Sequence, residues 1–387
     1  MLTNTDIAEL VTFRRQLHRN PELSGEERAT AATIASALRQ LAPTNLLTEL
    51  GGHGVAAVFD SGHEGPSVLF RAELDALPII EESGVEWTSE VDGTAHLCGH
   101  DGHMTMLLGL ARLLSRRPIA KGRVILMFQP AEENGRGARA VVADPRYAEI
   151  APDWAFAIHN EPGLPFGYVG TREGLINCAS RGLAITLRGR TSHAAEPELA
   201  VSPVGVIGNL ISHLESLGRG GVLDDTFRLA TVTHVNVGER SFGITPGQAE
   251  ILVTLRASQD AAVDDMERAA RVGIDRIAAQ QGLQATYSTH DDFAASVNHR
   301  EAVAVAAAAL DSLAIQHGSE GVPMRASEDF GVFGWNSRSA MLCLGPGVDH
   351  PALHQPDYDF TDDLIPVGVR IFDGIARLLC HPDDHYA

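Results

Sequence analysis

The sequence predicts an α/β protein: a main domain with a mixed, mostly parallel sheet between helices, and a smaller α+β domain inserted into it. Three observations carry this expectation. Short apolar runs alternate with helix-period segments between Val55 and Ile158, which indicates a parallel sheet covered on both faces. From residue 181 to 291 the strands and helices follow a different order. The first pattern then resumes and continues to Leu379. With 387 residues, the chain is long enough for two cores.

Residues 5–19 are amphipathic and read as a helix, with Arg14, Arg15 and His18 expected on a solvated face. Ser24-Gly-Glu-Glu27 has capping-box spacing and is expected to open an alanine-rich helix reaching about Leu41. Val55–Phe59, Ser67–Phe70, Gly122–Gln129 and Trp154–Ile158 read as strands, with helices at 103–115 and Ala138–Ala143. Leu183–Leu187 alternates as a half-buried strand. An apolar helix (Pro203–Leu217), strands Arg228–Val237 and Ala249–Arg256, a helix (Ala261–Gln281) and strand Ala285–Thr289 follow. This β-α-β-β-α-β order is the ferredoxin-like split motif. The expected division is therefore 1–180 with 292–387 as the main domain, and 181–291 as the insert. A helix at 301–314, a turn at Ser327–Phe330, strand Ala340–Leu344 and helix Pro366–Leu379 complete the main domain.

Composition narrows the function. A net charge of −20 argues against nucleic acid and anionic membrane surfaces as partners, because both need a basic face. The four cysteines (Cys98, Cys178, Cys343, Cys380) have no disulfide-framework spacing, and the N-terminus lacks a basic, apolar leader pattern. No apolar run approaches the roughly 20 residues needed to cross a bilayer. These features lead to the expectation of a cytoplasmic protein.

The chemistry concentrates in Thr94-Ala-His-Leu-Cys-Gly-His-Asp-Gly-His103. Cys98 and His100, at i and i+2, can face one site from a turn, and thiolate and imidazole suit zinc, cobalt, nickel or manganese when carboxylates complete the shell. The plainer reading is a polar loop before an apolar helix, capped by Asp101; so many donors crowded together favour a metal site. Asp75, Glu132, Glu133 and His159 each follow an apolar strand, where ligands bind in open α/β sheets. Glu132 and Glu133 are adjacent, so their side chains diverge: one can bind metal while the other takes a proton from an activated water. With His354, the set Cys98, His100, Glu133 and His159 is large enough for a dinuclear site.

Taken together, these motifs resemble the M20 peptidases, specifically the amidohydrolase branch of aminoacylases, hippurate hydrolases and auxin-conjugate hydrolases. The resemblance rests on Arg14-Arg-Gln-Leu-His-Arg-Asn-Pro-Glu-Leu-Ser24, Arg71-Ala-Glu-Leu-Asp-Ala-Leu-Pro78, Cys98-Gly-His-Asp-Gly-His103, Phe128-Gln-Pro-Ala-Glu-Glu133, His159-Asn160, Ser192-His-Ala-Ala195, Ser327-Glu-Asp-Phe330 and the segment around His354. It implies a metal-dependent hydrolase of N-acyl amino acids or small conjugates, with a lid domain that mediates dimers in many members. It implies two divalent ions, manganese or zinc with nickel or cobalt as alternatives, on Cys98, His100, Glu133, His159 and His354. Glu132 matches the general acid/base, Asp75 a carboxylate behind the metals, and His193 a lid histidine that holds the substrate carbonyl or its oxyanion. Arg256 resembles a lid position that often contacts the substrate carboxylate, and Asn236 is a nearby candidate for substrate binding.

The chain departs from the branch at Leu97, where alanine is usual. It departs again in Ala194-Ala-Glu-Pro-Glu198, where a Pro-His ending is common, and at Gly243-Ile-Thr-Pro246, where Asn-Val-Ile-Pro is usual. These changes bear on substrate preference. Rival readings are a thiol hydrolase built on Cys98 with His100 or His103, a dipeptidase, carbamoylase or deaminase of the same metal type, and a non-catalytic metal carrier.

Overall fold

The computed structural model describes residues 1–381. It opens with helix α1 (Asn4–Arg19), which carries the first capping box of the chain: the Thr3 side chain accepts from Asp6 N, and Asp6 accepts from Thr3 N at 2.9 Å. Helix α2 (Arg28–Arg39), where a second box was expected, has none. Glu22 fills that role, accepting from Ala29 N and Thr30 N, while the Glu27 carboxylate is used elsewhere.

The chain continues through β1 (Asn45–Leu50), β2 (Gly54–Asp60), β3 (Ser67–Glu73), α3 (His100–Arg116), β4 (Arg123–Gln129), α4 (Gly137–Ala143), β5 (Trp154–Asn160), β6 (Val169–Gly170) and β7 (Gly174–Asn177). Next come β8 (Ala179–Arg188), β9 (Ser192–His193), α5 (Ile207–Ser216), β10 (Arg228–Val237), β11 (Ile244–Thr245), β12 (Gln248–Ala257), α6 (Asp260–Gln280) and β13 (Gln284–Phe293). The last stretch holds β14 (Ser296–Asn298), α7 (Arg300–Ser312), β15 (His317–Gly318), β16 (Arg338–Leu344) and α8 (Leu364–Leu379).

These elements form two compact units. The first comprises Met1–Ile176, Ser296–Pro323 and the chain from Glu328 onward; the second comprises Asn177–Ala295 with Met324–Ser327. The short 324–327 return has no pattern of its own in the sequence; it joins the second unit through a bridge between Asn177 and Met324 and a bond from Cys178 N to the Ala326 carbonyl at 3.0 Å.

The first unit is built on an eight-stranded sheet ordered β1-β2-β4-β3-β5-β16-β6-β15. Its centre is parallel, with β3 between β4 and β5 and β16 beside β5. The flank departs from the expected parallel order: β2 lies antiparallel to β4, and β1, which has no clear strand pattern, lies antiparallel to β2. Only three residues, Gly51, Gly52 and His53, connect the paired ends Leu50 and Gly54, and so short a turn cannot make a parallel crossover. Alternate residues such as Phe70, Leu126, Phe156 and Leu342 share one core with Leu10 of α1, Ile34 of α2, Leu107 of α3, Ala306 of α7 and Phe372 of α8.

The second unit has a four-stranded antiparallel sheet ordered β10-β12-β8-β13, connected β-α-β-β-α-β along the chain. Leu183, Ile185, Ile251 and Val253 pack there with Leu210 and Leu214 of α5 and Met266 and Ile274 of α6. Among the described residues, no helix is long and apolar enough to cross a membrane.

Candidate metal centre

The ends of β3, β4 and β5 deliver polar residues to one place. Asp75 lies two residues past β3, Glu132 and Glu133 follow β4, and His159 is the penultimate residue of β5. Helix α3 supplies His100 as its first residue, with Cys98 just before it. Gly99 between them has φ +90°, and an added Cβ would stand 2.1 Å from Asn160 Oδ1, so only glycine lets the chain turn between these two donors. Asp101 is not the cap: its Oδ2 is taken by His18 Nδ1 at 2.8 Å and Arg14 Nε at 2.8 Å.

Donor atoms of Cys98, His100 and His159 lie within 4.8 Å of one another, as do those of Cys98, Glu133 and His354, and those of His100, Glu132 and Glu133. Each ring has one nitrogen already committed. His100 Nδ1–H donates to the Asp75 carbonyl at 2.8 Å, and His159 Nδ1–H donates to the Asn160 carbonyl at 2.8 Å, which turns both Nε2 atoms inward. His100 Nε2 and Glu133 Oε1 are buried without a hydrogen-bond partner and stand 3.8 Å apart. That is too long for a hydrogen bond, but close to the roughly 3.4 Å that separates two ligands of one tetrahedral zinc. Buried polar atoms without partners are rare. This pair fits a shared cation, and the donor set of thiol, imidazole and carboxylate fits a divalent one.

The field around these groups is acidic. Burial and the nearby Glu328 and Glu133 push Glu132 well above the usual carboxylate range. Burial, opposed by His100, pushes Glu133 up to about 7. Burial among Glu133 and Glu132 also raises the Cys98 thiol, the opposite of the activation a thiol nucleophile requires.

A second layer was not assigned from the sequence. Arg71, fully buried, binds Glu73, Glu328 at 2.7 Å, Asp329 at 2.7 Å and Gln129 at 2.8 Å. His103 joins Glu73 at 2.8 Å to Asn160 Oδ1 at 2.7 Å, and Asn160 donates to the Tyr358 hydroxyl at 2.7 Å. The signal was present in β3, where two charged residues interrupt an apolar strand; charges so placed are buried only when paired.

Arg14 and His18, expected in solvent, are fully buried. Helical spacing puts them on the same face as Leu10, and their charge meets Asp101, Asp359, Asp362 and Glu81. Arg15 is only partly buried and pairs with Asp362 at 2.8 Å.

The model of peptidase family M20/M25/M40 matches residues 69–378. The chain belongs to the M20 peptidase family. Over 373 residues it is 30% identical to an N-acetylcysteine deacetylase of Bacillus subtilis, covering 96% of both chains. It is 30% identical to a hippurate hydrolase of Campylobacter jejuni, covering 95% of this chain and 96% of that one. A crystal structure from Bacillus subtilis, described as a dinuclear metal-binding peptidase of the M20 family, superposes with a TM-score of 0.81 at 27% identity. It covers 99% of this chain and all of that one.

The remaining candidate residues of this M20 chain lie in the second unit. His193 is exposed on β9, opposite Ile244 of β11, and its Nδ1 accepts from Ala195 N at 3.0 Å. The proton of the neutral ring therefore sits on Nε2. Asn236 is exposed on β10 and pairs in register with Glu250. Arg256 is half-buried and donates to the Arg325 carbonyl at 2.6 Å and to Ser327 Oγ.

Proposed function

We propose that this chain is a metal-dependent amidohydrolase that cleaves the amide bond of N-acyl amino acids or related small conjugates. The observation that carries the reading is the facing pair of unpartnered buried atoms, His100 Nε2 and Glu133 Oε1, with the Glu132 carboxyl 4.0 Å from the same nitrogen. Cys98, His100, Glu133, His159 and His354 would hold two divalent cations, manganese or zinc in the first instance, with nickel or cobalt as alternatives. When bound, such ions polarise a carbonyl oxygen and ease the deprotonation of water.

Glu132 has no ligand role in this reading. It accepts a proton as the water oxygen adds to the acyl carbon, then passes that proton to the departing nitrogen as the C–N bond breaks. The products are a carboxylate and an amine. Its surroundings suit both halves of the cycle, since the acids beside it favour the protonated form and the cations oppose them. Asp75 holds the His100 ring and the Glu133 backbone rather than touching substrate.

The 177–295 unit serves as the lid and as the surface through which two copies pair. His193, with Nε2–H free to donate, stabilises the oxyanion, and Asn236 and Arg256 contact the substrate. The names of the deacetylase and the hippurate hydrolase support an N-acyl amino acid over a peptide. A reducing, cytoplasmic compartment suits the four buried cysteines, which form no disulfide.

Glu132→Gln with its ion content measured is the direct test, assayed on N-acetyl, N-benzoyl and indoleacetyl amino acids. Turnover is expected to fall roughly 100- to 10,000-fold with the ions retained. Near-wild-type turnover removes Glu132 from the role, and a wild-type enzyme that cleaves none of these amides removes the substrate class.

A further inference from the structure

Glu27 is fully buried, lies outside the donor set, and reaches the loop that carries Glu132. Its Oε1 accepts from two backbone N–H groups, Gly25 and Ala131, each at 2.7 Å. Ala131 has φ +51°, in the left-handed region that residues with a Cβ rarely adopt. It immediately precedes Glu132 and Glu133. Within the loop, Gly135 N donates to the Glu132 carbonyl at 2.7 Å and Gly137 N to the Ala131 carbonyl at 2.9 Å, and neither bond uses the Ala131 N–H. The N–H of the strained residue is tied to Glu27.

The turn bearing Glu27 grips the site at two further points. Ser24 Oγ donates to Asp75 Oδ2 at 2.7 Å, and that same oxygen accepts from Glu133 N at 2.9 Å. Ala76 N bonds the Glu22 carbonyl at 2.9 Å, and Leu23 bridges to Ala76. Residues 131 and 133 are thus held by two carboxylates, one on each side of Glu132. The loop then places Glu132 with Glu328 and Asp329, and Glu133 with Cys98 and His354.

We propose that Glu27 is a positioning residue for the proton transfer at Glu132. By holding Ala131 in its left-handed conformation, it makes two adjacent glutamates point to different tasks. This inference rests on the reading of Glu132 as the group that carries the proton. Glu27 touches neither substrate nor ions, so its loss leaves their binding intact and lowers the chemical step, because a small misplacement of an acid/base group is costly.

Two variants decide the matter. Glu27→Met fills similar volume without an acceptor, whereas Glu27→Gln keeps an oxygen for the two N–H groups. Glu27→Met is expected to lose roughly 10- to 100-fold in kcat with KM changed by less than about twofold, and Glu27→Gln to stay within about threefold of wild type. Cobalt-substituted protein gives a readout separate from activity: its ion stoichiometry and visible spectrum should match wild type in both variants.

Unchanged kcat in Glu27→Met overturns the proposal. So does an equal loss in both variants, or a cobalt spectrum altered in step with kcat, since any of these means that Glu27 supports the fold or the ions rather than Glu132. If Glu27→Met does not fold, Glu27→Asp, one methylene short of the loop, takes its place with the same expectations. An active Glu132→Gln control removes the reading of the site itself. An inactive control beside a fully active Glu27→Met removes this inference alone.

Discussion

Single side chains in this protein are placed by what they give up. Arg14, His18 and Asp101 leave water entirely, and each is kept by the others. Despite burial, Arg14 and His18 hold Asp101 well below the usual carboxylate range, while Asp101 and Glu81 push His18 up to about 9 against the desolvation that opposes it. Because the folded chain holds this proton more tightly than the unfolded one, His18 contributes stability that is complete below its ordinary value of 6.5 and fades as pH rises through about 9. Urea unfolding followed from pH 6 to pH 10 should show that loss in the wild type and a flatter profile in His18→Gln. Equal slopes for the two proteins would remove His18 from this account. The residue scale is also where the sequence misleads most. An amphipathic helix with two arginines and a histidine reads as solvated, and only the distant acids at 101, 359 and 362 reveal that these cations are buried.

At the scale of elements, strand ends and helix starts were legible. The apolar runs in β4, β5 and β16 are continuous, and the polar residues just beyond β3, β4 and β5 fall where a sheet opens to ligand. The capping role of Glu22 was not legible, because Ser24-Gly-Glu-Glu27 matches the capping-box spacing by sequence alone. Nothing local says that Ser24 turns to Asp75 and Glu27 to Ala131. Strand direction at the sheet's flank was hidden for a similar reason, since β2 is as apolar as the parallel strands at the sheet's centre. The start of α3 makes a sharp case for local geometry serving the site. Gly99→Ala adds a Cβ where φ is +90° and Asn160 Oδ1 is 2.1 Å away. A left-handed alanine costs on the order of 1–2 kcal/mol before any clash. A melting temperature lowered by at least several degrees, with reduced zinc uptake, is expected; normal melting and full uptake would show that the Cys98–His100 turn tolerates a side chain.

For the molecule as a whole, two cores divide the labour. The proposed ligands all belong to the first unit, and so do all three tryptophans, Trp87, Trp154 and Trp335. Tryptophan fluorescence therefore follows the metal-binding unit, whereas far-ultraviolet circular dichroism follows both. An ion bound only by the folded state at 1,000 times its Kd stabilises by about 4 kcal/mol. EDTA should lower the fluorescence melting temperature by several degrees, and manganese or zinc should restore it. A melting curve indifferent to EDTA would count against any structural ion at these residues. One asymmetry in the proposed centre has a cellular meaning. The His354 side chain is 50% exposed, while Cys98, His100 and His159 are buried. Of two bound ions, the one relying on His354 would trade with its surroundings quickly and the inner one slowly. The standing supply of free metal, more than the amount of protein made, would then govern how many copies are at work.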